Sequence, residues 1–248
     1  MPDNIKQLIE GVVKSIIQGD MTYFEDPLLG YADAGDPLFL KLKDLLPHHL
    51  LPQELLPEAR TVAAFFVPFK EAVVSSNRGG GKVSQEWVES YIAANKAINQ
   101  ICSVLKDKLA QAGVKGEYQK ATHNFDEKTL RAPWSHKSIA YIAGLGTFGV
   151  NKMLITEAGC AGRFGSIVID AYVEPTRRPD VEYCLHYQNK KCLVCVKACP
   201  VQALVEEGID KQTCYQRLLK IADEFKEFGL ADVCGKCAGA CAKKVFKV

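Results

Sequence analysis

Cysteine is the residue type with the clearest chemical potential in this chain of 248 residues. Ten cysteines are present, and eight of them fall between Cys184 and Cys241. Two runs, residues 192–199 and 234–241, each have the spacing C-x2-C-x3-C, with Cys184 before them and Cys214 between them. Eight thiolates are enough to hold two iron–sulfur cubes, since each cube needs four ligands. The cysteine-rich segment therefore predicts an electron-transfer site.

The first run ends in Cys199-Pro200, which is typical of bacterial ferredoxins with two clusters. In such proteins the last cysteine of a run ligates the other cluster. Applied here, that rule predicts two ligand groups: group A, for cluster A, is Cys184, Cys192, Cys195 and Cys241, and group B, for cluster B, is Cys199, Cys214, Cys234 and Cys237. Two departures are visible: Asn189 stands three residues before Cys192, where a cysteine is usual, and Ala242 follows the second run in place of proline.

A structural zinc site is the alternative for these thiols. Cys192 and Cys195 with Cys234 and Cys237 would form a four-thiolate zinc ribbon, but that leaves the other four cysteines without a role. Disulfides are not expected, because the first ten residues show no basic leader, no twin arginine and no long apolar stretch. We therefore expect a cytoplasmic protein with reduced thiols.

The composition narrows the class of partner. Hydrophobic residues make up 48% of the chain, which is typical of a globular protein with a substantial core. The 31 basic and 29 acidic residues give a formal charge of +2, which argues against a nucleic acid or a membrane surface as the partner. No apolar run reaches 18 residues, so no transmembrane helix is predicted.

Periodicity predicts a layered α/β or α+β domain over residues 1–178 and a cysteine domain over residues 179–248. Residues 20–58, rich in proline, are expected to form loops with short helical turns, and Gly79–Gly81 a flexible loop. Cys102, on a helical stripe, is expected to be a core residue. The predicted helices cover residues 4–18, 84–112 and 133–142, and the predicted strands cover residues 61–67, 114–122, 153–156 and 166–173.

Two glycine-rich loops, residues 143–149 and 159–165, precede the cysteine domain. By spacing alone they are ordinary tight turns. Their order with the cysteines, however, resembles the epoxyqueuosine reductase and reductive dehalogenase superfamily. The matching parts are Ala143-Gly-Leu-Gly146-Thr-Phe-Gly149-Val-Asn-Lys152, Gly165-Ser166 and the eight cysteines, and the resemblance covers roughly residues 115–245.

This resemblance implies an α+β fold: a nitroreductase-like α/β domain that holds cobalamin, followed by a small ferredoxin-like domain with two 4Fe–4S clusters. It also implies an electron donor such as ferredoxin or flavodoxin. The residues expected to line the corrin pocket are Gly144, Gly146, Thr147, Gly149, Gly165 and Ser166. Cys160, in the second loop, is either a redox thiol, a ligand at a cofactor or a partly buried structural thiol, and we favour the last of these.

The proton donor is where the sequence departs from the family. The aspartate that the queuosine enzymes carry before the helix is replaced by Leu130, and their tryptophan after Gly-Leu-Gly is Thr147. Asp126 and Tyr141 are the candidates that we rank first, followed by His123 and His136.

Two functions follow from these observations. The first is an iron–sulfur reductase that passes single electrons to cobalamin or directly to a small-molecule substrate. The alternative is an electron-transfer or reductive-activator protein that serves a partner, such as a corrinoid protein, and has no substrate of its own. Neither tRNA nor a respiratory organohalide is expected as substrate.

Overall fold

The computed structural model describes residues 2–19, 21–121 and 125–241. The helices are α1 (Pro2–Gln18), α2 (Pro37–Leu45), α3 (Pro52–Leu55), α4 (Glu71–Ser76), α5 (Gln85–Gln111), α6 (His136–Ile142), α7 (Leu185–Asn189), α8 (Val194–Lys197), α9 (Lys211–Glu224) and α10 (Lys236–Gly239), with a 3-10 turn at Lys226–Phe228. The strands are β1 (Leu28–Asp33), β2 (Thr61–Pro68), β3 (Gly116–Glu117), β4 (Thr147–Phe148), β5 (Leu154–Ile155) and β6 (Gly162–Ile169).

A four-stranded antiparallel sheet in the order β1-β2-β6-β3 forms the centre of the fold. Every residue of β2 is buried, as its continuous apolar sequence predicts for a central strand. Successive side chains of β2 point to opposite faces. Ala63, Phe65 and Val67 pack into one core with α1 and α5. Their neighbours in β2 pack into a second core with α2 and α6, so the sheet lies between two helical layers.

The long helices follow the sequence closely. The apolar stripe of residues 4–18 becomes α1, and Ser84 caps α5 by accepting a hydrogen bond from the backbone N of Trp87 at 3.3 Å. Gly113 ends this segment with φ +74°, a conformation that favours glycine. Cys102 is buried on α5, as predicted.

Elsewhere the boundaries differ from the predictions. The proline-rich segment contains β1, which the sequence did not indicate, because its pairing partner β2 is more than 25 residues away. Helix α6 begins at His136 instead of Pro133, since Ser135 is its cap and accepts a hydrogen bond from the backbone N of Ser138. Strand β6 begins at Gly162, four residues before the predicted start. The strand predicted over 114–122 is assigned only at Gly116–Glu117 among the described residues.

The cysteine-rich part is built of short helices and packs directly on the α/β part. Leu204, Ile221 and Ala238 belong to the same apolar core as α1 and α5. The division at residue 178 stays a prediction. Within the described residues, no helix has both the length and the apolar character needed to cross a membrane.

Candidate functional site

The four sulfur-bearing side chains of group A share one cavity of about 180 Å³. Cys184 and Cys195 are buried, whereas Cys192 and Cys241 are half-buried. The pKa of Cys195 is raised, first by its contact with Cys241 and then by burial. The pKa of Cys241 is raised as well, chiefly by Cys160. Neighbouring thiols that resist losing protons in water become thiolates when a metal ion replaces those protons.

Group B gathers on the other side of the cysteine part. Burial raises the pKa of Cys237 to about 12, and Cys234, Cys214 and Cys199 contribute to the same shift. Cys195 of group A also acts on Cys237, so the two groups are neighbours. In the described part of the chain, no three Cys, His, Asp or Glu side chains converge closely enough to hold a single metal ion.

The first glycine loop supports group A. A Cβ at Gly146 would overlap the carbonyl oxygen of Ile155, so glycine lets this loop lie directly against β5. Thr147 Oγ1 donates to Glu182 and accepts from the backbone N of Tyr183 at 2.8 Å, which fixes the chain just before Cys184. Asn151 links the loop to both groups, because its Nδ2 donates to Cys241 Sγ at 3.7 Å and to the backbone carbonyl of Cys237, in group B, at 3.2 Å.

The other predicted corrin contacts are also engaged with protein atoms. Gly144, at φ +79°, lies against the backbone of Arg177, and Gly149 lies against Ile155. Gly165 sits under the ring of Phe65 within β6, and Ser166 is fully buried beside it. As cofactor contacts these six residues stay a prediction, and their packing gives each a structural role.

A cleft of about 320 Å³ lies between the α/β part and helix α9. Both parts of the chain contribute to it. Its polar lining is Tyr91, Ser135, His136, Lys137, Arg163 and Asp232, and its apolar lining includes Phe125, Met153, Phe164 and Leu218. Arg163 is held in place by Asn95, to which its Nε donates at 3.1 Å, and its guanidinium lies 4.7 Å from the ring centroid of Tyr91.

A second cavity of about 230 Å³ adjoins the cleft and is lined by one cysteine of group B. The two share Phe125, Leu218 and Asp232, and the second is also lined by Cys214. The sulfurs of Cys214 and Cys237 act electrostatically on Lys137 as well. Group B therefore borders the cleft, whereas among the described lining residues there is no member of group A.

Two polar side chains of α6 face this cleft. Burial, and then the positive charge of Lys211, lower the pKa of Lys137, whose Nζ donates to the carbonyl of Lys152 at 2.9 Å. Trp134 Nε1 donates to Ser166 Oγ at 2.9 Å, so the hydroxyl proton of Ser166 is left for His136 Nδ1, 2.8 Å away.

This arrangement assigns the proton of the His136 ring to Nε2. That nitrogen is shielded from solvent, and the backbone of Lys120 and Gln119 lies within hydrogen-bonding reach of the ring. Burial lowers the pKa of His136 to about 4, so the ring is neutral near pH 7.

The two first-ranked proton donors lie outside the cleft. Asp126 is exposed in a turn, and its carboxylate accepts from the backbone N and the hydroxyl of Thr129 at 2.7 and 2.8 Å. These hydrogen bonds lower its pKa and favour the ionised form. Tyr141 packs against Phe148 with ring centroids 5.6 Å apart. Both stay predictions as proton donors, and His123 lies outside the described residues. Sequence reasoning did not consider Lys137, although it lies on the same helix as His136.

The donor sets fit one expected cofactor and not the other. An iron–sulfur cube requires four thiolates, and each group contains four free cysteines that can supply them. Cobalamin, whose corrin ring carries a nucleotide tail, is larger than the drug-sized ligands that occupy cavities of about 300–1,000 Å³. The cleft is at the lower end of that range. It fits a small ligand and does not fit a cobalamin, whose binding stays a prediction.

The sheet between two helical layers, with two groups of thiols packed on it, defines a mixed α+β fold shared with epoxyqueuosine reductases and reductive dehalogenases. A solved epoxyqueuosine reductase, in complex with an epoxyqueuosine-modified tRNA stem loop, matches with a TM-score of 0.60 and 19% identity, over 98% of this chain and 67% of that one. A reductive dehalogenase, whose structure is described as suggesting a mechanism for B12-dependent dehalogenation, matches with a TM-score of 0.59 and 13% identity, over 86% and 29%.

Sequence comparison points the same way. The epoxyqueuosine reductase of Vibrio cholerae serotype O1 is 24% identical over 207 residues, which is 80% of this chain. The match spans 52% of that relative, so the chain covers about half the length of the curated protein that it resembles. No protein-family model matches the chain. The resemblance stated from the sequence is thus confirmed, at the level of fold and distant homology.

Proposed function

We propose that this chain is an iron–sulfur reductase with two 4Fe–4S clusters and a small substrate site in the cleft beside group B. When bound, the clusters supply single electrons. The observation that carries the proposal is the continuity of the cleft with Cys214, because this brings a predicted cluster ligand to the wall of a ligand-sized cavity. The two groups of thiols are also neighbours, which is what transfer between clusters requires.

Helix α6 supplies the polar groups for the reduction. Lys137 is a half-buried ammonium with a lowered pKa, and such a group releases its proton more readily than an exposed lysine does. The neutral ring of His136 lines the cleft next to Lys137 and is held by its hydrogen bond with Ser166 Oγ, so it is placed to orient a substrate. We propose Lys137 as the proton donor and His136 as the orienting group.

The first substrate to test is a modified nucleoside in a tRNA stem loop. One solved relative is complexed with an epoxyqueuosine-modified stem loop, and a cleft of about 320 Å³ suits a single extruded base better than an intact corrinoid. The near-neutral charge, which argued against nucleic acid, is compatible with weak binding of a short stem loop. This substrate class therefore replaces our earlier expectation as the leading candidate.

The experiment begins with iron analysis of protein purified without oxygen. Two cubes predict about eight irons per chain and a paramagnetic signal on reduction. Zinc in place of iron, or far fewer than about eight irons per chain, would contradict the proposal. The loaded protein is then offered an epoxyqueuosine stem loop, with an unmodified stem loop as control, each with and without added cobalamin. Product that forms only when cobalamin is present would show that the cleft widens to admit it.

Variants of Lys137 test the chemistry. Lys137→Gln should keep its iron content and lower turnover by about 10²–10⁴-fold, which is the usual contribution of general acid catalysis. The wild-type rate should fall as pH rises through the lowered pKa of Lys137, because the ammonium form is the donor. Lys128→Gln, an exposed lysine, is the matched control. Full activity of Lys137→Gln would exclude the proposed role. A loaded protein that reduces a partner protein and turns over neither stem loop would favour the electron-transfer alternative.

A further inference from the structure

Group B is in contact with a cation from helix α9. Arg217 Nε donates to Cys234 Sγ at 3.0 Å. The same guanidinium donates from its NH2 to the carbonyl oxygen of Gly81, so two of its donors are committed in different directions. Arg217 also acts electrostatically on Cys214, a second thiol of group B. A planar guanidinium held at two points presents its charge to the sulfur in a fixed geometry.

A segment of the α/β part holds this cation and the cysteine run together. Asn77 Nδ2 donates to the carbonyl of Cys234 at 2.9 Å. Lys236 Nζ donates to the carbonyls of Asn77 and Gly79, both at 2.8 Å, and this lysine is only 6% exposed. The Gly79–Gly81 loop, which the sequence suggested to be flexible, is thus tied at two of its carbonyls to residues that flank group B.

The run itself fits closely against the α/β part. Gly235 has φ +69°, and a Cβ there would overlap the indole of Trp87. Both features require glycine between Cys234 and Lys236. The hydrogen bond from Arg217 is therefore made to a sulfur whose backbone is fixed on both sides.

The physical consequence concerns the reduction potential. A reduced cluster carries one more negative charge than the oxidised cluster, so a cationic donor to a ligand sulfur stabilises the reduced state more. Group A has a weaker donor: the neutral amide of Asn151, 3.7 Å from Cys241 Sγ. The charges near Tyr187 beside group A have both signs, since Glu182 and Glu206 act on it and Lys190 Nζ lies 5.7 Å from its ring centroid, so they do not replace a direct cationic donor.

We infer that Arg217, held by the Gly79–Gly81 loop, raises the reduction potential of cluster B above that of cluster A. Arg217 is a positioning residue for charge and contacts the ligand sulfur, not the substrate. This inference rests on the proposed function, since it needs both clusters, but it concerns the direction of electron flow: from cluster A towards the cleft.

The test is a potentiometric titration of both clusters by electron paramagnetic resonance. In Arg217→Gln, which keeps an N–H donor and loses the charge, cluster B should become about tenfold harder to reduce, a fall of about 59 mV for one electron. Arg217→Lys, which keeps the charge and loses the fork, should show a smaller fall. Cluster A should be unchanged in both variants and serves as the internal standard. Arg177→Gln, an exposed arginine paired with Asp180, is the matched control.

The outcomes separate the inference from the proposal on which it rests. Fewer than about eight irons in the wild-type protein would remove the clusters themselves. Eight irons with equal shifts of both clusters, or no shift of cluster B in Arg217→Gln, would overturn the role of Arg217. If Arg217→Gln loses iron, the titration of Arg217→Lys tests the inference instead. A shift of cluster B alone in Arg217→Lys supports the role of the charge, and equal shifts or no shift of cluster B would show that Arg217 is purely structural.

Discussion

The two groups of thiols differ in their surroundings more than in their sequence. Each group takes one C-x2-C pair and one closing cysteine of the other run, yet group A is supported by the glycine loop of residues 143–149, whereas group B lies among Arg217, Lys236 and Lys137. Both surroundings contain charges of both signs, but the described structure shows a hydrogen bond from a cation to a ligand sulfur in group B, where Arg217 Nε donates to Cys234 Sγ at 3.0 Å.

Access differs as well. Cys192 of group A is half-buried next to Val194, which is 54% exposed, and Tyr187, which is 41% exposed. Cys214 of group B instead lines the cavity that continues the cleft. This contrast supports a path in which a donor protein approaches cluster A and a substrate approaches cluster B.

Removal of a single cysteine ligand should have the largest effect on the difference between the two groups. Cys214→Ser should lose cluster B, leave about four irons and the signal of cluster A, and abolish substrate reduction, because the link to the cleft is gone. Cys192→Ser should do the reverse: cluster B remains, but an electron donor such as ferredoxin or flavodoxin no longer reduces it. Iron analysis and electron paramagnetic resonance distinguish the two variants.

The control for these variants is Cys102→Ala, since this buried thiol on α5 belongs to neither group. It should retain about eight irons and both signals. If Cys214→Ser and Cys192→Ser each lost the same signal, the division into groups A and B would be wrong.

Charge reversal at the surface of cluster A should have the next largest effect. Lys190, Lys191 and Lys197 are exposed and flank Cys192 and Val194. The triple change to Glu should slow reduction by an acidic ferredoxin or flavodoxin about tenfold or more at low salt, because electrostatic steering is lost. Reduction by dithionite, a small reagent, should be unaffected.

Stopped-flow bleaching of the clusters measures both rates. The matched control reverses three exposed lysines of the α/β part: Lys14, Lys41 and Lys108. A similar slowing in the control would mean that only net charge matters, and that the carrier does not dock near cluster A.

A smaller effect should sharpen the electrostatic part of the comparison. Asn151→Ala removes the amide donor to Cys241, so cluster A should become about two- to threefold harder to reduce. This effect is smaller than the one expected for Arg217 and cluster B, because a neutral donor makes a weaker hydrogen bond than a charged donor. Potentiometric titration detects the shift, and Asn189→Ala, on the exposed end of α7, is the control. A shift of cluster B alone would contradict the assignment of Asn151 to group A.

The parts of the molecule that the sequence predicted well are those set by local rules. Helix α5 was readable from its stripe, its Ser84 cap and its Gly113 end, and β2 from its apolar run. Strand β1 was missed because short strands are stabilised by partners, and its partner β2 follows α2 and α3. The glycine loop of residues 143–149 was recognised from the sequence. Its contacts with Glu182 and Tyr183 were not predicted, because they depend on the tertiary packing of a segment that is distant in sequence.

Sequence alone identified the eight thiols and the family resemblance and predicted a division into two groups of four, because ligand spacing within a short run is a local property of the chain. Only the tertiary structure decided which group borders the cleft and which cations surround it. Lys137, Arg163 and Asp232 come from distant segments, and their meeting depends on the packing of α9 against the α/β part. The electrostatic potential at a site is the sum of contributions from all charges near it in space, so it cannot be predicted from the sequence of a single segment.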